Sequence, residues 1–186
     1  MMNRKYIFGI PIFEDEIDLD RFNIPEEDPS ELEPTWDAGV PSTFSTQLML
    51  PDEAWKELEL VIQRNLGPAG LLGHDAKVGH VWRNRYQKHH YQDVHLHPHS
   101  QWSFIVYESV TSKTSFINPN MGLIQNQISS GLGDFPLDYK PELPPGHIII
   151  FPSFIMHQVN AGNEGTTISG NIYMKYHPHP EDQFIE

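Results

Sequence analysis

Cysteine is absent from this chain. That excludes disulfides, thiolate metal sites and cysteine nucleophiles together, so any transition metal must be held by His, Asp, Glu or backbone oxygen. Positive charge is scarce as well: 12 Lys and Arg stand against 25 Asp and Glu, for a net charge of −13. A nucleic-acid partner calls for a basic footprint, and none is present. No apolar run approaches the roughly 18 residues that a bilayer span needs. The opening Met1-Met-Asn-Arg-Lys-Tyr-Ile-Phe has neither a long apolar core nor a small-residue cleavage site, so no signal peptide is expected and a cytoplasmic location is. Two common catalytic signatures are missing too, the Gly-x-Ser-x-Gly elbow of serine hydrolases and the Gly-x-x-x-x-Gly-Lys phosphate loop. Ser153 has no partner pattern for nucleophilic catalysis.

The 186 residues suffice for one domain with a real core, and a single domain over 1–186 is expected. Its first part, 1–41, reads as a strand at 5–13 followed by an irregular arm. Ten acidic residues fall between Glu14 and Glu33, which is the composition of a solvated surface segment. From Asp52 to Leu66 the spacing of Trp55, Leu58, Ile62 and Leu66 predicts a helix, closed by Gly67-Pro68. The rest is β in texture, with strands predicted at 43–50, 78–86, 102–107, 114–117, 147–151 and 166–176. Residues 118–140, rich in Asn, Gly, Ser and Pro, read as a long loop and a candidate lid. The pattern predicts a mainly β sandwich or barrel with one or a few supporting helices.

Seven of the eleven histidines lie between His74 and His99. Three alternate, in Asp93-Val-His-Leu-His-Pro-His99, so an extended strand would turn Asp93, His95, His97 and His99 to one face. A late histidine, His157, stands in Gly146-His-Ile-Ile-Ile-Phe-Pro-Ser-Phe-Ile-Met-His157. A His-x-His pair on one strand plus a third histidine about 60 residues on suits a mononuclear metal site with open positions. The remaining histidines, 74, 80, 89, 90, 147, 177 and 179, read as surface or hydrogen-bonded residues. The metallo-β-lactamase pattern fails because Ser100 follows where it requires the next ligand. The cupin pattern fails because no Glu follows the pair.

Five stretches together carry a resemblance: Trp82-Arg-Asn-Arg-Tyr86, Tyr91-Gln-Asp-Val-His-Leu-His-Pro-His-Ser-Gln-Trp-Ser-Phe-Ile-Val-Tyr107, Phe116-Ile-Asn-Pro119, Gly146 through Val159, and Ile168-Ser-Gly-Asn-Ile172. They resemble a 2-oxoglutarate/Fe(II)-dependent oxygenase family of marine bacteria and their phages. The Gly-x-x-x-x-Phe-Pro-Ser-x-x-x-His string is its most specific piece. The resemblance implies the double-stranded β-helix (jelly-roll) fold, with a metal-binding β core over 80–176. It implies a dioxygenase using Fe(II) and 2-oxoglutarate, with His95, His97 and His157 as metal ligands.

Two departures from the family pattern are legible. The broader superfamily has an aspartate where His97 stands, so the ligand set is open between three histidines, a set in which Asp93 replaces one, and a metal other than iron. The superfamily also places an Arg or Lys about nine residues after the last ligand to hold the far carboxylate of 2-oxoglutarate, and the chain has Gly165-Thr-Thr there. Arg85 (with Arg83 beside it) and Lys113 are the candidate replacements, and Tyr107 a candidate hydroxyl. Two rival readings follow: a three-histidine, cupin-like metal enzyme without 2-oxoglutarate, and a non-enzymatic jelly-roll binding module. The substrate is expected to be a small molecule or a protein side chain, and a homodimer is left open.

Overall fold

In the computed structural model, which describes residues 9–68, 74–127 and 136–176, two antiparallel sheets face each other. The strands are β1 (Phe13–Glu16), β2 (Glu33–Thr35), β3 (Val40–Ser42), β4 (His74–Tyr86), β5 (Gln92–His95), β6 (Trp102–Tyr107), β7 (Thr114–Ile117), β8 (Asp138–Tyr139), β9 (His147–Pro152), β10 (His157–Val159) and β11 (Gly165–Tyr176). The helices are α1 (Asp52–Leu66) and α2 (Met121–Gln127). The larger sheet runs β1-β9-β6-β11-β4-β3-β2 and the smaller β5-β10-β7-β8. This is a mainly β jelly roll, as the resemblance implies.

Alternation along the central strands of the larger sheet decides what lies on each side. Phe104 and Val106 of β6, Ile148 and Ile150 of β9, and Ile168 and Ile172 of β11 pack outward on one core, against Ala54, Leu58, Val61, Ile62 and Leu66 of α1. Burying each large aliphatic side chain there contributes roughly 1.5–3 kcal/mol. The opposite residues, Ile105, Tyr107, Ile149 and Phe151, fill the space between the sheets with Phe116 and Ile155. Facing inward on β11 are polar residues instead, Thr167 and Ser169 and Asn171, which bonds to inward-facing Ser103.

α1 keeps its expected bounds, with Asp52 and Glu53 in its first turn and Gly67 at its end. The acidic arm differs from a solvated segment. β1 pairs with β9 at one edge of the larger sheet, and β3 meets β4 at the other through Ser42 and Asn84. Ile17, Phe22 and Ile24, set between the acids, are buried in the α1 core, so three apolar anchors outweigh the charge around them. Residues 43–50 turn back rather than form a strand, because Thr43 accepts from Thr46 and Gln47 in a tight turn. The predicted loop 118–140 contains α2 and β8; a seven-residue helix is too short to show a helical period. Its residues 128–135 lie outside the described part, as do 5–8 of the first predicted strand, His177 and His179.

Candidate metal centre

β10 lies between β5 and β7, and its register sets His157 directly opposite His95. Two residues further on, Val159 is opposite Gln92, so three steps on β5 match two on β10. The extra residue is a β-bulge, a device common beside active sites because it re-aims side chains. It breaks the expected alternation. Gln92 and His95 both face the cavity between the sheets, while Asp93 and Val94 are both exposed. The expectation that Asp93 shares the face of His95 is thereby corrected. β5 ends at His95, and the chain turns through Pro98 and His99; His99 is exposed with φ +72°. His97 reaches the cavity from this turn, fixed by its N–H donating to Ser153 O at 3.0 Å.

His95, His97 and His157 each bring one ring nitrogen to within 4.8 Å of the others. Among the described residues they are the one such group of potential metal ligands. Each imidazole is held the same way. Nδ1 of His95 donates to Asp93 O at 2.7 Å, Nδ1 of His157 to Ile155 O at 3.1 Å, and Nδ1 of His97 to Asn171 Oδ1 at 2.7 Å. Oxygen acceptors of this kind require the proton on Nδ1, which leaves the Nε2 lone pair of all three free, the arrangement that orients imidazole ligands. Burial drives all three toward the neutral form, against the upward pull of those hydrogen bonds. His97 is pushed down to about 4, His157 well below its usual value, and His95 also down. Neutral imidazole is the ligating form, so the group fits a divalent metal ion.

The Phe-Pro-Ser string supports this geometry rather than nucleophilic chemistry. Ser153 Oγ accepts from Ser100 at 2.9 Å and pairs with Ser103 Oγ at 2.8 Å. Ser103 in turn donates to Asn171 Oδ1 at 3.2 Å, so a buried hydroxyl chain fixes the acceptor that holds His97. Asn171 was not singled out from the sequence. Its signal is the polar alternation Thr167, Ser169, Asn171 on a strand whose other face is Ile168, Gly170 and Ile172.

Of the residues expected to anchor an anion, one lines the cavity. Tyr107 does, but its hydroxyl accepts from Ser112 Oγ at 2.9 Å and pairs with Thr114 Oγ1 at 3.0 Å. Burial pushes it up to about 12 against those two bonds, so it stays a neutral phenol. Arg85 is on the far face of β4, bonded to Glu27 at 2.7 Å, because Trp82 and Tyr86 occupy the cavity face of that strand. Arg83 shares the outer face, paired with Glu27 and Glu108. Lys113 is exposed at the outer surface beside Asn160 and Glu142. No lysine, arginine or carboxylate of the described residues lines the cavity.

The strand also explains why no cation sits after the last ligand. Thr167, not Thr166, faces the cavity; Thr166 turns away and pairs with Ser109 Oγ at 3.0 Å. Gly165 has φ +138°, and a Cβ there would lie 2.5 Å from Ser109 Oγ, so it admits no side chain. Trp36, absent from the sequence-based candidates, is the last wall. Its indole lies 4.3 Å from the His95 ring, on the turn between β2 and β3 at φ +64°. The left-handed region is uncommon outside Gly, Asn and Asp. With the indole in place the cavity measures about 10 Å³, room for about one water molecule, so any larger ligand requires the Trp36 turn to be displaced.

Comparison with known proteins agrees with this architecture. Residues 80–171 match the model of a family described as "Putative 2OG-Fe(II) oxygenase". No curated protein matches the chain. Among solved structures, it is similar to a 2OG-Fe(II) oxygenase family oxidoreductase from Burkholderia pseudomallei, at 16% identity and TM-score 0.50, over 82% of this chain and 73% of that one. It is also similar to a Pseudomonas putida prolyl-4-hydroxylase, at 14% identity and TM-score 0.51, over 88% and 93%. At such identities these two structures speak for the fold.

Proposed function

We propose that the chain, whose residues 80–171 match the model of a family of 2OG-Fe(II) oxygenases, is an enzyme of that kind and that His95, His97 and His157 hold the iron. The observation that carries the assignment is the common orientation of the three rings, each with Nδ1 committed and Nε2 free at one point between the sheets. Fe(II), when bound with 2-oxoglutarate and O₂, supplies the oxidising power to hydroxylate a substrate C–H bond as 2-oxoglutarate is converted to succinate and CO₂. The chain's own part is to fix three imidazoles in one tautomer, to leave the remaining coordination positions open and to limit water through Trp36 and the apolar walls. The carboxylate of the usual facial triad is replaced by His97, whose nearest polar support is Asn171 rather than a charge.

The reading covers 1–186 as one domain with the metal-bearing core at 80–176. Its substrate is a small molecule or a protein side chain, and the net charge of −13 speaks against nucleic acid. A cytoplasmic location is part of the same reading; among the described residues no helix is long and apolar enough to cross a membrane. The test is reconstitution with Fe(II) without oxygen, followed by O₂ and 2-oxoglutarate. One iron per chain and iron-dependent succinate are expected, and failure to take up iron contradicts the proposal. A second reading, a three-histidine metal enzyme without 2-oxoglutarate, is favoured by the uncharged cavity wall. It predicts one iron per chain and no succinate, with His97→Asp gaining 2-oxoglutarate turnover.

A further inference from the structure

Three buried N–H groups on residues lining the metal cavity have no hydrogen-bond partner among the described residues: Trp36 Nε1, Trp82 Nε1 and Gln92 Nε2. Leaving a buried donor unpaired is costly, and native proteins seldom do so without a reason. All three atoms are donors, and among the described residues no carboxylate, lysine or arginine lines the cavity. What such a surface complements is an acceptor-rich group, and a carboxylate offers the most acceptor sites for its size.

Gln92 is placed for this role by the bulge. Its partner Val159 is two residues beyond His157 on β10, about 7 Å along the strand from the ligand pair. Without the bulge Asp93 would take this face and repel an anion. We propose that the far carboxylate of 2-oxoglutarate is anchored here by neutral N–H donors, Gln92 Nε2 first and Trp36 Nε1 second, in place of the missing cation. The inference rests on the oxygenase reading above. Trp36 adds its donor from the turn between β2 and β3, where its indole packs over the His95 ring.

The test is calorimetric binding of 2-oxoglutarate to protein loaded with nickel, a divalent ion that supports no turnover. Gln92→Leu should weaken binding at least tenfold, since each hydrogen bond to a charged group is of that order. Gln92→Glu keeps the shape, sets an anion against an anion and should weaken it further. Trp36→Phe keeps the ring over His95, removes the N–H and should cost about threefold or more. Nickel affinity should stay within twofold in Gln92→Leu and Trp36→Phe, and Lys113→Ala should leave 2-oxoglutarate affinity unchanged. Equal affinity in wild type and all Gln92 and Trp36 variants overturns the anchor while leaving the oxygenase reading intact, and a tenfold loss in Lys113→Ala overturns it in favour of that lysine. A nickel-loaded wild type that binds no 2-oxoglutarate overturns the co-substrate reading and the anchor together.

Discussion

The two faces of β4 are made of neighbouring residues and are satisfied to opposite degrees. On the outer face, all five guanidinium N–H groups of Arg83 can be assigned: Nε and Nη2 to Glu108 at 3.0 and 2.7 Å, Nη1 to Glu27 and Pro25 O, and Nη2 also to Ile24 O. Arg85 adds two more bonds to Glu27. On the inner face, Trp82 Nε1 and Asn84 Oδ1 have no partner among the described residues. The saturated side is architecture, tying the arm at Ile24–Glu27 to the sheet. The unsaturated side faces the metal cavity through Trp82. Position on the strand, not residue chemistry, separates the two, which is why the two arginines belong to the fold and not to the site.

The contrast can be broken from either side. The largest effect is expected for His157→Ala, which removes a ligand from the middle strand of the smaller sheet. Iron uptake should fall by more than the 10–100-fold typical of losing a supporting residue, measured by metal analysis after dialysis, with the circular dichroism spectrum retained. Next is Arg83→Ala on the saturated side. Glu27 and Glu108 would be left without their main partner at a site where the Glu27 side chain is 1% exposed, and removing one member of a buried pair costs about 3–5 kcal/mol. Urea unfolding should show it, while the metal affinity of the folded protein should be little changed.

Asn171→Ala should give the intermediate result: a 10–100-fold loss of metal affinity with a smaller loss of stability, because it frees the His97 ring without removing a ligand. Arginine and asparagine thus exchange their phenotypes, one lowering stability and the other metal binding. A pH series sharpens the outer side. Burial raises the Glu27 carboxyl, but hydrogen bonds from Arg83 and Arg85 outweigh it and hold the group below its usual range. A carboxyl depressed in the folded state contributes stability that is present above the unfolded value and is lost as pH falls through the folded one. The difference in unfolding free energy between wild type and Glu27→Gln should therefore shrink as pH is lowered from 6 to 3. The smallest effect is expected for Lys88→Ala. Lys88 and Glu164 are 3.5 Å apart and mostly exposed, and such pairs contribute about 0–1 kcal/mol. A loss comparable to that of Arg83→Ala would undo the distinction between buried and exposed charge.

Much of this was legible in the sequence where one strong pattern governed. The helix at 52–66 declares itself by period, β6 by alternation and β9 by its apolar run. His95, His97 and His157 were separable from the other histidines by the strings around them. Gln92 and Asp93 were not, because a one-residue bulge reverses the parity on which alternation depends. Trp36 was hidden in a segment whose acidity marked it as surface, since composition does not reveal which residue a turn carries back over the site. Arg85 appeared a reasonable anion anchor because a charge and a nearby strand can be read from letters, but the face of the strand it occupies follows from its partners in Glu27 and the arm.

The central claim is that three Nε2 atoms, those of His95, His97 and His157, bind one iron. It is tested most directly by anomalous scattering at the iron edge from crystals grown with Fe(II) in the absence of oxygen. A single anomalous peak coordinated by those three nitrogens is the expected result. A peak bound by Asp93 or His99 in place of one of them, or no peak in this cavity, would contradict it.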